Sequence, residues 1–260
     1  MTYKVVVGVP VYNEYPALPR LLDKLVALKA QLGEQLHVCV VNDGSTDLTE
    51  AVLHKYAAAH AFITYRSHDR NRGLGAAIDT LFAFVSEQYG PDDVLVTIDG
   101  DNTHHPRFIP GLVRQLKTKD LDLVIASRFT AGGKEKGVSA ARKLCSRGAA
   151  VFFKLFFPIA GVTDYSSGYR CYRIGYVQKA MAAYGGKLVT TAGFACMAEI
   201  IAKFSRLGVK AGEYPLILDY HLKQGHSKMN IYKTVRGYIR LLRTVRDAEP
   251  SAGNRGIDHE

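Results

Sequence analysis

The stretch Val94-Leu95-Val96-Thr97-Ile98-Asp99-Gly100-Asp101 decides the fold. Its five apolar or β-branched residues run without polar alternation, the mark of a strand covered on both faces, as in a parallel sheet. The run stops on two carboxylates separated by glycine. In an open α/β sheet the ligand crevice lies beyond the carboxyl ends of the strands, so these two acids fall where a site forms.

Working outward, similar runs predict strands at Lys4 to Pro10, His37 to Asp43, Phe62 to Arg66 and Leu123 to Ser127. Amphipathic stretches between them predict helices at Pro16 to Leu32, Asp47 to His60, Leu74 to Gln88 and Pro106 to Lys117. The alternation gives an α/β, Rossmann-like fold, a mostly parallel sheet flanked by helices. Asp47 followed by Glu50 reads as a capping box, and Pro106 suits a first helical turn. Asp43, Asp99 and Arg128 then share equivalent ends of different strands.

The second half predicts a helix from Ser139 to Phe157, a polar loop at Asp164 to Tyr169, a helix from Phe194 to Leu207 and a strand from Val209 to Tyr220. Further on, Ile231, Val235, Tyr238, Leu242 and Val245 form one stripe at helical spacing, with Lys233, Arg236, Arg240 and Arg243 opposite. Such a basic amphipathic helix suits an anionic membrane surface, or docks its stripe on the preceding domain. The expected organisation is a catalytic domain over residues 1–228, the amphipathic helix over 229–248 and a disordered tail over 249–260.

Of 260 residues, 47% are hydrophobic and 22% charged, which is ordinary globular composition. The net charge of +10 favours an anionic partner. No helix-turn-helix, zinc or aromatic RNA-binding signature accompanies that charge, so a nucleic-acid-binding protein is the disfavoured, non-enzymatic alternative. The turn Pro10 to Tyr15 lacks the glycine fingerprint of dinucleotide binding. The four cysteines, Cys39, Cys145, Cys171 and Cys196, lie far apart and read as buried thiols in a reducing compartment. The N-terminus enters a strand directly without a signal-peptide pattern, and the expected location is cytoplasmic. Gly148 to Val162 is interrupted by Lys154 and Pro158; it is too short to span a bilayer but can lie on one. Within it, Phe152, Phe153, Phe156 and Phe157 read as core or as a lipid groove.

Two carboxylates one residue apart suit a hard divalent cation, Mg²⁺ or Mn²⁺, which shares oxygen ligands with substrate phosphates. The same triplet is also compatible with a turn closed by an aspartate cap. Asn42-Asp43-Gly44-Ser45 is a second strand end, where Asp43 can accept hydrogen bonds from a base or ribose.

Pro10-Val11-Tyr12-Asn13-Glu14, Asn42-Asp43-Gly44-Ser45, Asn71-Arg72-Gly73-Leu74-Gly75-Ala76-Ala77, Asp99-Gly100-Asp101 and Ser127-Arg128-Phe129 occur in the order that resembles family 2 glycosyltransferases. Asp164-Tyr165-Ser166-Ser167-Gly168-Tyr169-Arg170 and Gly225-His226-Ser227-Lys228-Met229 look like the polyprenyl-phosphate (dolichyl-phosphate) mannosyltransferase branch. The resemblance implies a GT-A fold and an inverting transfer of a hexose from GDP-mannose or a UDP-hexose to a polyprenyl phosphate at the membrane surface. It places Pro10, Tyr12, Glu14 and Asp43 at the nucleotide, with Asp99 and Asp101 at the metal and diphosphate. Arg128 falls near the transferred sugar and acceptor phosphate, and Arg142 and Ser146, on one helix face, at that phosphate. Asp101 and Arg128 are the implied catalytic pair. Thr103, followed by His104 and His105, stands where the branch often has a metal-binding glutamine. Leu222 stands where it commonly has an arginine on the donor diphosphate, leaving Lys223 or Lys228 to supply that charge.

An anionic phosphate acceptor needs no general base. A soluble hydroxyl acceptor, as in glycan or natural-product assembly, needs one, and Glu199 and Asp164 are its candidates. Glu199 can equally sit on its helix paired with a cation.

Overall fold

A computed structural model describes residues 3–138, 140–191, 193, 195–220 and 237–238; for residues 140–143 and 145 only the helical backbone is described. The strands β1 (Val5–Val11), β2 (Leu36–Asn42), β3 (Ile63–Ser67), β4 (Val94–Thr97) and β5 (Leu123–Ser127) follow the apolar runs within a residue or two. Of the strands not foreseen, β6 (Lys134–Lys136) and β7 (Arg170–Arg173) are short and cation-rich. The long C-terminal run divides into β8 (Ala211–Pro215) and β9 (Ile217–Asp219). The main sheet has the order β3-β2-β1-β4-β7-β5-β8, and β6 pairs with β9 beside it. Within that sheet β7 alone is antiparallel to its neighbours, β4 and β5.

β1, β4 and β5 are buried at every position, as a sheet covered on both faces requires. Alternate residues go to opposite layers. Val5, Val7, Val9 and Val11 pack with Leu18, Leu21, Leu22 and Leu25 of α1 (Leu18–Leu32) and Leu112 and Leu116 of α4 (Ile109–Thr118). Beside α1 lies the shorter α2 (Thr49–Ala59). Val6 joins Cys39, Val41 and Leu95 beneath Ile78, Leu81, Phe82 and Val85 of α3 (Leu74–Gln88). The same layer holds α5 (Ala140–Phe156), α6 (Ile174–Ala183) and α7 (Ala195–Arg206).

Three local expectations change. Glu50 does not reach back to cap α2; its carboxylate takes hydrogen bonds from Asn42 Nδ2 at 2.7 Å and the Ser67 hydroxyl at 3.0 Å, tying α2 to the ends of β2 and β3. Asp47 does act at the helix start, accepting from Thr49 N at 2.9 Å. The run Val209 to Tyr220 is two strands: Pro215 ends β8, and the buried Leu216 donates its N–H to Ser127 O at 2.8 Å before β9 begins. Pro106 opens a 3-10 turn, Pro106–Phe108, ahead of α4.

Cys39, Cys171 and Cys196 are buried free thiols, and burial pushes that of Cys39 up to about 11. Of the aromatic cluster, Phe153 and Phe157 lie in the core, whereas Phe156 is 48% exposed. Tyr238, from the amphipathic stripe, is helical and docks on α5, its ring edge-on to Phe153 at 4.8 Å. The rest of that stripe, the basic face opposite it and the tail 249–260 lie outside the described residues. No described helix is long and apolar enough to cross a membrane.

Candidate active site

The parallel strands β1, β2, β4 and β5 deliver their following loops to one edge of the sheet. The first two loops are laced together. Asn13, held at φ 50°, donates its N–H to Ser45 Oγ at 2.9 Å and accepts Thr46 N–H at 2.8 Å. Glu14 N donates to Thr49 Oγ1 at 3.0 Å, and Tyr15 N to Asp47 Oδ2 at 3.1 Å. Pro10 is buried at the end of β1, and the half-buried Tyr12 and Glu14 follow it beside Asp43, whose N–H bonds Val11 O at 2.8 Å.

Asp43 is a buried organiser of this edge. Its Oδ1 accepts from His68 Nδ1 at 2.8 Å and Arg72 N at 2.9 Å, and its Oδ2 from Gly73 N at 2.8 Å. The Asn71–Ala77 motif thus opens α3 against the end of β2. His68, with Nε2 2.9 Å from the Thr80 hydroxyl, was not singled out from sequence, although its place just after β3 was a usable signal.

At the end of β4, the carboxylates of Asp99 and Asp101 flank Gly100, where a Cβ would lie 2.6 Å from Val11 Cγ1. Only glycine lets the loop lie this close against β1. Asp101 is buried, with Oδ1 fixed by Thr103 N at 3.1 Å and the Thr103 hydroxyl at 2.6 Å. Asp99 is more open, its side chain 35% exposed, and lies over Gly168, whose absent Cβ would be 3.2 Å from Asp99 Oδ1. His104 Nδ1 accepts the Asp99 N–H at 3.1 Å, and its ring packs on Tyr169 at 5.1 Å. His105 Nδ1 accepts from Arg107 N at 3.1 Å, closing the following turn. Both histidines therefore act as supports of the loop.

The donor set fits a hard divalent cation: two carboxylates, one preset by Thr103 and one facing outward. Among the described residues no group of three or more His, Cys, Asp or Glu side chains could hold a metal. Its remaining positions would go to water and substrate oxygens, an arrangement Mg²⁺ and Mn²⁺ readily accept.

After β5, Arg128 is nearly enclosed. Its Nε and Nη2 each lie 2.7 Å from an oxygen of Asp164, Nη2 also donates to Ser166 Oγ at 2.6 Å, and Nη1 donates to Glu135 at 3.1 Å. Burial alone would push the Asp164 carboxyl up; the Arg128 charge and hydrogen bonds outweigh it and hold the group below the usual carboxylate range. Glu135 gave no sequence signal, because Lys134-Glu135-Lys136 reads as a solvated charge run; here β6 turns it onto Arg128.

Glu199, on α7, is also saturated. It accepts from N and Oγ1 of both Thr190 and Thr191 at 2.6–2.9 Å and pairs with Lys203 at 2.7 Å. Burial raises its pKa, but the Lys203 and threonine contacts bring it below the ordinary value. Cation pairing, one of its two expected roles, is what the geometry displays. Ser146 is half-buried on α5, which also carries Arg142 at the expected four-residue spacing. The Arg142 side chain and Lys223, Lys228 and Leu222 lie outside what is described.

A mostly parallel sheet with two carboxylates at the carboxyl edge of a central strand, beside laced loops, is the α/β arrangement in which a ligand crevice forms. Residues 6–178, well over half the chain, match the model of Glycosyl transferase family 2, and the chain belongs to that family. It is 29% identical over 227 residues to an undecaprenyl-phosphate mannosyltransferase of Micrococcus luteus, covering 87% of this chain and 88% of that protein. It is 29% identical over 238 residues to a dolichol-phosphate mannosyltransferase of Pyrococcus furiosus, covering 91% of this chain but 62% of that longer protein. Among solved structures, it is similar in fold to a glucosyl-3-phosphoglycerate synthase from Mycobacterium tuberculosis in complex with Mn²⁺, UDP and phosphoglyceric acid. That match has a TM-score of 0.65 at 19% identity, over 98% of this chain and 81% of the other. The GT-A-type fold expected from the motifs is therefore the observed one.

Proposed function

We propose that this glycosyltransferase moves a hexose, of mannose or glucose type, from a nucleotide diphosphate sugar to a polyprenyl phosphate with inversion at the anomeric carbon. One observation carries the choice of acceptor. Asp164 and Glu199, the two carboxylates a hydroxyl acceptor would call on as base, are each saturated by hydrogen bonds and a cation and held below the ordinary range. A base kept ionised by its partners takes a proton poorly. A phosphate monoester is already anionic near neutral pH and needs none. The lipid-phosphate relatives support the same choice.

In this reading Pro10, Tyr12, Glu14 and Asp43 border the nucleotide, and Asp99 and Asp101 are the residues that would hold Mg²⁺ or Mn²⁺. When bound, the cation supplies charge stabilisation to the leaving group. Thr103 keeps Asp101 aimed, and His104 fixes the Asp99 backbone. Arg128 with Arg142 and Ser146 brings the acceptor phosphate in line. A phosphate oxygen then bonds to the anomeric carbon as that carbon's bond to the donor β-phosphate oxygen breaks, and no proton has to move. Because Arg128 already serves Asp164 and Glu135, Arg142, Lys223 and Lys228 carry the remaining positive charge. Residues 1–228 are the catalytic domain, and the protein works at a membrane surface.

The test is product formation from GDP-mannose, UDP-glucose and UDP-galactose with a polyprenyl phosphate and either metal. A glycosyl phospholipid should form with one donor base, and Asp101→Asn should lower its rate by about 10²-fold or more. Absence of that product with every donor, together with transfer to a soluble hydroxyl acceptor that Glu199→Gln abolishes, would establish the second reading instead.

A further inference from the structure

Asp43 holds its carboxylate almost entirely out of water: its side chain is 4% exposed, and that of His68 beside it 7%. Three hydrogen bonds compensate that burial. Two come from backbone at the start of α3, Arg72 N at 2.9 Å and Gly73 N at 2.8 Å, where the helix dipole also favours a negative group. The third comes from a side chain, His68 Nδ1 at 2.8 Å. The Arg72 guanidinium is turned to Asp69 instead, with Nε 3.1 Å and Nη2 2.5 Å from Asp69 Oδ1. His68 is therefore the side chain that serves Asp43.

The imidazole is itself held at both nitrogens. A carboxylate only accepts, so Nδ1 carries the proton, and Nε2, 2.9 Å from the Thr80 hydroxyl, is the acceptor of the neutral ring. Thr80 belongs to α3, so the ring spans from the end of β2 to the body of that helix. The strand end is secured without it. The His68 N–H bonds Asn42 O at 2.9 Å, and the segment that follows presses on the Asp43-Gly44 turn: Gly44 sits at φ 65°, and a Cβ there would lie 2.2 Å from the Arg70 carbonyl carbon. What the ring adds is the aim of the carboxylate, because the terminal torsion of aspartate is soft and the donors around it decide where it points. A carboxylate has about four acceptor positions. Oδ1 is taken twice and Oδ2 once, which leaves a position on Oδ2. We propose that His68, braced by Thr80, is a positioning residue of the donor site: it fixes the Asp43 carboxylate so that its remaining acceptor position meets an N–H or O–H group of the nucleoside, and thereby sets nucleotide affinity. This role rests on the reading that Asp43 borders the nucleotide and adds what aims it.

Calorimetric binding of UDP and of GDP with Mn²⁺ to the full chain, without acceptor, tests it. His68→Asn places an amide N–H₂ where Nδ1 stands, whereas His68→Gln places its amide near Nε2 and leaves Asp43 Oδ1 short of one donor. Whichever nucleotide the wild type binds should bind His68→Gln about 10-fold more weakly and His68→Asn about 3-fold more weakly. Thr80→Val keeps the shape and removes the hydroxyl; it should weaken binding by about 3-fold and decides the matter if His68→Gln fails to fold. In turnover the loss should fall on the donor KM with kcat unchanged, since the contact is with the nucleoside and not with the reacting atoms. A His68 that only holds the fold together would lower Tm and leave nucleotide affinity and donor KM at the wild-type values in these variants, which would overturn the proposal. So would an asparagine variant that binds as weakly as the glutamine one. A wild type that binds neither nucleotide would overturn the donor-site reading and this role with it. Nucleotide binding in the expected order with no glycosyl phospholipid formed would leave this role standing and remove the proposed acceptor instead.

Discussion

Arg128 and Asp164 form a two-armed ion pair, Nε and Nη2 each 2.7 Å from a different carboxylate oxygen, with Asp164 fully buried. Planar guanidinium meets planar carboxylate, and Ser166, Ser167 and the Arg128 N–H complete the shell of Asp164 at 3.1–3.3 Å. The pair joins the end of β5 to the loop before β7. It therefore sets where the arginine side of the site stands relative to Asp99, which lies over Gly168 of that same loop.

Asp164→Asn keeps the shape and removes the charge, turning an amide N–H₂ toward the arginine donors. Losing one partner of a buried pair costs about 3 kcal/mol or more. For a chain of this length that lowers Tm by roughly 6–12 °C. Glu135→Gln should cost less, because Glu135 meets Arg128 through one hydrogen bond at 3.1 Å whereas Asp164 meets it through both arms. Thermal denaturation of the two variants measures the difference; equal losses would show that the two-armed pair is not the anchor.

The first half of the fold was legible because parallel strands buried on both faces leave uninterrupted apolar runs, and α3 was bounded to the residue. β7 was not legible. Arg170-Cys171-Tyr172-Arg173 mixes apolar and charged residues in a tertiary pairing that no local pattern encodes, since its partners in β4 and β5 lie far away in sequence, Val94 opposite Arg173 and Ile125 opposite Arg170. The carboxylate pair Asp99 and Asp101 and Arg128 could be named from strand ends and motif order. Glu135 and the carbonyl partners of Arg170 could not, because the pairing of β6 with β9 and the packing of α7 and the 164–168 loop on Arg170 are tertiary contacts.

Arg170 makes the second prediction. Its side chain is wholly buried, and it donates to three carbonyls: Ser167 O at 2.7 Å, Tyr165 O at 2.8 Å and Met197 O at 3.0 Å. It thereby fastens the 164–168 loop to α7 and is a positioning residue for Asp99 and Arg128. Arg170→Met strands all three carbonyls, at about 1–3 kcal/mol each. Arg170→Lys keeps a donor and the charge but not the fork. We expect the donor KM to rise about 10-fold or more in the methionine variant, as the geometry around Asp99 loosens. The lysine variant should recover part of that rise. A lysine variant as impaired in KM as the methionine one, or a methionine variant that loses stability with donor KM unchanged, would refute the positioning role.

Acid sensitivity follows from the same buried pairs. The carboxyls of Asp164 and Glu199 are both below their ordinary values when folded, held there against the effect of burial by Arg128 and by Lys203 with the two threonines. On unfolding they return to about 4. Near that pH the unfolded chain binds more protons than the native one, so the stabilisation is complete above about pH 5 and is lost as pH falls through the folded values. Tm should therefore stay level from pH 8 to about pH 5 as far as these groups decide it, then fall. Glu199→Gln should start lower at neutral pH, because Lys203 is then buried beside a neutral amide, and should descend less steeply in acid. Parallel descent of wild type and Glu199→Gln between about pH 5 and pH 3 would place the acid sensitivity in other carboxylates.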